Sequence, residues 1–150
     1  MIHVPTTLWA LPLALLLTAG CDLEPDVGAA INARCSNADT NANATVSFSR
    51  DIAPLLSERC AICHYPAGEN PIGVQLGGLD LSTYKSLVTG GIRSGGAILR
   101  SSTPCDSVIF QKVSPGPPFG SRMPLNGPPF LADVEINLIH DWIAEGGRDN

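Results

Sequence analysis

Residues 60–64 read Cys-Ala-Ile-Cys-His, two thiols three positions apart with an imidazole directly after the second. Thiols at that spacing can reach the two vinyl groups of one porphyrin and close two thioether bonds. His64 is then held beneath the ring, where an imidazole nitrogen can bind iron as proximal ligand. Three other uses of the same atoms compete with haem attachment. A zinc site built on Cys60, Cys63 and His64 needs a fourth ligand, and the His stands too near the second Cys for zinc-finger spacing. A thioredoxin-like dithiol calls for a βαβ context, which is missing here. A structural Cys60–Cys63 disulfide leaves His64 idle.

An iron held by His64 has a second axial position to fill. Beyond residue 20 the chain offers one Met, Met123, and one further His, His140. His140 lies between Ile139 and Asp141, off the apolar line of the last predicted helix, and reads as a solvated helix position. Met123 stands in Ser121-Arg122-Met123-Pro124-Leu125, within a Gly/Pro-rich stretch and far from any helical stripe. A gap-filling apolar role is one reading; a thioether aimed at iron is the one its context favours. Arg93, Arg100 and Arg122 are candidate partners for porphyrin carboxylates, with solvated loop positions as the plainer role. Trp142 and Tyr84 are candidates for packing near the ring, and a core role serves Trp142 equally well.

Helices must position these groups. Asp51 is a predicted N-cap, and Pro54 then falls in the first turn, where a missing N–H costs nothing. Ile52, Leu55, Leu56 and Cys60 follow at helical spacing and lead into the Cys-x-x-Cys-His segment. Residues 65–78 hold Pro66, Gly68, Pro71, Gly73, Gly77 and Gly78 and read as a loop. Short helices are predicted around 82–88, closed by Gly90-Gly91, and from about 106 to 113, ahead of the turn cluster at 114–118. In the last helix Val134, Leu138, Ile139, Trp142 and Ile143 fall at i, i+4, i+5, i+8 and i+9, a stripe facing a core, and Gly146-Gly147 ends it. No long alternating pattern suggests a strand. The fold class expected is all-α, a small helical domain with long Gly/Pro-rich loops.

Residues 1–20 read as an export signal. The apolar run from Leu8 to Ala19 is broken by Pro12 and is shorter than the roughly 20 residues of a spanning helix. Leu17-Thr18-Ala19-Gly20-Cys21 resembles the lipobox of bacterial lipoproteins, which implies that Cys21 becomes the lipidated first residue. Thr18 in place of the commoner Leu, and the absence of Lys or Arg from Met1 to Thr7, depart from that pattern; an ordinary cleaved signal with a stray Cys is the alternative. Residues 21–45 show no hydrophobic period and read as a tether, with the folded domain at 46–150. Of five cysteines, Cys35 and Cys105 remain. In an oxidising compartment two spare thiols usually pair, so a Cys35–Cys105 disulfide is predicted, pinning the tether back onto the domain. The formal charge of -5 gives no basic stripe for nucleic acid.

From Phe48 to Arg148 the chain resembles a cytochrome c domain, particularly the single-haem domains related to planctomycete-type cytochromes. The matching segments are Asp51-Ile52-Ala53-Pro54-Leu55-Leu56, Arg59 through His64, Gly78-Leu79-Asp80-Leu81-Ser82, Arg122-Met123-Pro124-Leu125 and Trp142 through Gly147. Two features depart from it: Ala132 stands where Ser or Thr often caps the last helix, leaving Asp133 to start it, and the insert carrying Cys105 is not a general feature. The resemblance implies one covalent haem c on Cys60 and Cys63, His64 and Met123 as axial ligands, and first and last helices crossing near the haem edge. A six-coordinate iron has no vacant position for a substrate. The expectation is therefore electron transfer rather than enzyme catalysis, between redox partner proteins at the cell envelope, by a periplasm-facing domain held to a membrane by its lipid anchor. Two other expectations stand beside it: a haem-based sensor or ligand-binding module whose sixth ligand is displaceable or absent, and a non-haem lipoprotein.

Overall fold

The computed structural model describes residues 34–150, so the predicted signal segment and Cys21 lie outside the described residues. Among the described residues the chain is helical and contains no strand. A π-helical turn, Phe48–Ile52, runs directly into α1, Ala53–Arg59. Then come α2 (Ala61–His64), α3 (Ile72–Gln75), α4 (Tyr84–Thr89), α5 (Val108–Val113) and α6 (Asp133–Ala144), with 3₁₀ turns at Gly95–Ile98 and Pro104–Asp106.

The first helical segment starts a turn earlier than Asp51. Ser47 caps it by accepting the Arg50 N–H at 3.3 Å, and the Asp51 carboxylate reaches back to accept the Ser47 N–H at 2.8 Å. Asp51 therefore belongs to the first turn and serves the cap from inside. The expected loop at 65–78 carries the short α3. At α6 the N-cap is Ala132, which has no hydroxyl to offer, and half of a capping box remains: Glu135 accepts the Ala132 N–H at 2.7 Å. The helix ends where the Gly147 N–H bonds Trp142 O at 2.8 Å, with Gly146 and Gly147 both at positive φ.

Ile136, Ile139, His140 and Ile143 mark the buried line of α6, whereas Val134 is 74% exposed. The buried face is thus rotated from the predicted stripe in the first turn. Further along the helix a second cover, the segment 34–45, shields the side carrying His140 and Asp141. Asp141 accepts both the Thr40 N–H (2.9 Å) and the Thr40 hydroxyl (2.6 Å), and Glu145 accepts the Val46 N–H. His140, expected in solvent, is 5% exposed.

Cys35 and Cys105 are joined by a disulfide across a sequence separation of 70. A loop of that length contributes about 4 kcal/mol on a chain-entropy estimate. The Cys105 N–H also donates to the Asn37 side chain at 2.9 Å, so the described part of the expected tether is bonded to the domain at several points.

One aromatic group closes the far side of the core. Phe48 lies 5.2 Å from Tyr84 and 5.6 Å from Trp142, centroid to centroid. Tyr84 Oη donates to Gly147 O and Trp142 Nε1 to Arg148 O, which settles both polar tips. The C-terminus joins in: Asn150 O accepts the Ser49 N–H at 2.9 Å.

Candidate functional site

On the other side of the core is a cavity of about 550 Å³, within the range of small-molecule and cofactor sites. Leu55, Leu56, Ile109, Val113, Leu131 and Ile139 give it an apolar wall from α1, α5, α6 and the loop before α6. Cys60, Cys63, His64 and Met123 all line it. Tyr84 and Trp142 do not, because their rings are spent on the Phe48 cluster.

The segment that carries the thiols is a break between two helical pieces. The Cys60 N–H still bonds Leu56 O at 2.9 Å, but its backbone departs from helical values (φ -124°, ψ -19°) before α2 makes a single turn. In that turn the His64 N–H bonds Cys60 O at 2.8 Å. One helical turn thus brings two thiols and an imidazole to the same wall.

His64 is fixed from both ends by residues 79–81. Its carbonyl accepts the Leu81 N–H at 2.8 Å, and its Nδ1 lies 3.1 Å from Leu79 O. A carbonyl can only accept, so Nδ1 carries the ring proton and Nε2 keeps its lone pair, with no hydrogen-bond partner among the described residues. Metal-binding histidines are commonly oriented by this kind of bond through the other ring nitrogen. Gly73 packs against the same ring edge: a Cβ there would stand 2.4 Å from both His64 Nδ1 and Cε1. Gly68 is similarly close, a Cβ meeting Ala61 O at 2.2 Å. Both glycines let the loop lie flat against α2.

Burial pushes the Cys60 thiol up to about 11, with the neighbouring Arg59 charge opposing this. Such a thiol is protonated at neutral pH, the reverse of the activated thiolate in a redox dithiol. Cys60 and Cys63 are not bonded to each other. Among the described residues no group of three or more His, Cys, Asp or Glu is arranged to hold a metal ion, so Cys60, Cys63 and His64 do not converge as zinc ligands would.

The charges on the wall are one-sided. Arg59, Arg93 and Lys112 line the cavity and, among the described residues, no Asp or Glu does, although the chain has 14 acidic residues against 9 basic ones. Of the three arginines considered from the sequence, only Arg93 is placed there. Arg122 stacks on Phe130, its guanidinium carbon 4.5 Å from the ring centroid, and Arg100 lies elsewhere. Arg59 and Lys112 were not singled out. Arg59 had a usable signal in its place directly before Cys60; Lys112 had none. The Arg59 Nη2 donates to Phe130 O at 3.1 Å, while its buried Nε sits 3.5 Å from Glu135 without making a hydrogen bond.

His140 has no part in this wall. Its Nε2 lies 2.7 Å from Ser36 O and its Nδ1 2.8 Å from Asp141 Oδ1. Burial works to raise the Asp141 carboxyl, but the Thr40 hydroxyl and N–H and the His140 ring outweigh it and hold the group below the usual carboxylate range. Asp141 is thus an acceptor, and both His140 nitrogens face oxygen partners.

Comparison of the chain with protein-family models, with curated proteins and with solved structures finds no match.

Proposed function

We propose that this chain is a c-type haem protein that transfers electrons at the bacterial cell envelope, a cytochrome c-like helical domain built around one haem c. Cys60 and Cys63 form its thioethers, His64 is the proximal ligand, and Met123 supplies the sixth. The observation that carries this reading is His64, whose Nδ1–H is committed to Leu79 O while its Nε2 stays free on the wall shared with Cys60, Cys63 and Met123. An apolar cavity whose wall carries Arg59 and Arg93 and, among the described residues, no acid also suits a large planar ligand bearing two carboxylates. Bound haem would supply a one-electron couple, and a thioether opposite an imidazole favours its ferrous state. Cys60, Cys63 and His64 would hold the ring, and Leu79 O sets the His64 tautomer. Cys21, as the lipid-bearing residue, would keep the domain near a membrane and its redox partner proteins, with no enzymatic turnover of its own.

The test is intact mass of the protein made with a c-type haem maturation system. One haem mass that survives acid-acetone extraction, and that is lost in the Cys60→Ala/Cys63→Ala variant, supports the reading. A chain without added mass, or haem fully extracted by acid-acetone, refutes covalent attachment.

A further inference from the structure

The loop from 114 to 132 carries Met123 among Pro115, Gly116, Pro117, Pro118, Gly120, Pro124, Gly127, Pro128 and Pro129, a composition that removes backbone donors, and no helix or strand runs through it to hold a side chain in place. The stretch from Phe119 to Met123 is bonded to the C-terminal turn of α5. The Lys112 ammonium donates to Phe119 O at 2.9 Å and to Ser121 O, and lies 5.3 Å from the Phe119 ring centroid. The Lys112 carbonyl accepts the Met123 N–H at 2.7 Å, and the next carbonyl, Val113 O, accepts Arg122 Nε at 2.8 Å. The end carbonyls of α5 are thereby satisfied by the very residues that lead to Met123. Lys112 has no carboxylate partner among the described residues, so its charge is directed at loop carbonyls and an aromatic face. A primary ammonium offers three donors and can bridge two carbonyls at once, which a neutral side chain of that length cannot do.

We infer that Lys112 is the positioning residue for Met123: its ammonium gathers the loop at Phe119 and Ser121, its carbonyl fixes the Met123 backbone, and together they set the thioether on the cavity wall. This rests on the proposed haem reading, since it is the iron that reads out where the thioether stands. Lys112 bonds the loop that carries Met123, and its part in ligation runs through that loop.

The experiment compares haem-loaded wild type with Lys112→Met and Lys112→Arg. Lys112→Met keeps the length and the backbone bond but removes both ammonium bonds. It should retain covalent haem, lose most of the far-red sulfur-to-iron band of the oxidised protein, and raise the carbon-monoxide-accessible fraction of the reduced protein about tenfold, the size expected for losing a charged hydrogen bond. Lys112→Arg, which can still bridge two carbonyls, should restore most of the band. A Lys112→Met protein with an undiminished far-red band overturns the inference, and so does one whose only change is a shifted potential, which would make Lys112 a charge near the ring and nothing more. If Lys112→Met does not accumulate, Lys112→Gln carries the same comparison, with far-UV circular dichroism as the check on folding. Failure of the parent reading is distinguishable: wild type without a Soret band defeats the haem reading and this inference together, and wild type with haem but no far-red band removes Met123 from iron.

Discussion

The two histidines of the folded domain use the same side chain in opposite ways. His64 spends one nitrogen on a backbone carbonyl and leaves the other free on a cavity wall beside two thiols. His140 spends both, on Ser36 O and on Asp141, and is sealed between α6 and the segment that the disulfide holds down. An imidazole with one acceptor partner is a ligand in waiting; one with two is a bolt. Hydrogen-bond count separates them where residue type does not.

The contrast breaks most readily by substitution of the histidines themselves. His64→Ala should abolish the low-spin spectrum and most stable haem loading while far-UV circular dichroism of the helices around α6 persists. His140→Ala should do the reverse. The haem spectrum stays as in wild type, but stability to urea falls by about 2–3 kcal/mol, because a buried carboxylate loses a hydrogen-bond partner and the packed ring leaves a gap. A changed axial spectrum in His140→Ala would collapse the distinction.

Gly73→Ala probes the ligand side more gently. Its Cβ would sit 2.4 Å from the His64 ring, so the ring must turn away from Leu79 O. Overpacking of this kind costs about 1–2 kcal/mol, and the expected signature is an altered axial ligand field with thioether attachment intact. Wild-type spectra and stability in Gly73→Ala would show that the ring has room to spare.

The smallest effect is on the bolt. Asp141 titrates lower in the folded state than in the unfolded chain, so its stabilisation is full above the ordinary carboxylate range and is lost as pH falls through the folded value. Urea midpoints taken from neutral to acid pH should fall less steeply for Asp141→Asn than for wild type. Parallel curves would remove Asp141 from the acid response.

What could be read from the sequence was what is local. Cys60, Cys63 and His64 fall within one helical turn, so their spacing already encodes a common wall, and Met123 stood out because no other methionine follows residue 20. The period of α6 announced a buried helix but misread two positions: Val134 is exposed, and His140 is buried because the covering segment arrives from about a hundred positions away and leaves no trace in the helical pattern. The partner of His64 was equally hidden. Leu79 contributes a backbone carbonyl, which any residue has, and Gly73 looked like one more loop glycine until the ring was found against it. Lys112 does its bonding to carbonyls, and nothing in its neighbours' side chains points to it.

The most direct test of the central claim is the absorption spectrum of protein made with a c-type haem maturation system, oxidised, then reduced with dithionite, then exposed to carbon monoxide. The account predicts a sharp reduced α band at the c-type position, a weak far-red band in the oxidised form, and a reduced spectrum that carbon monoxide leaves largely unchanged. A Soret band with no far-red feature and ready carbon monoxide binding would contradict Met123 ligation and point to a sensor or ligand-binding module, and the absence of any Soret band would contradict the haem assignment itself.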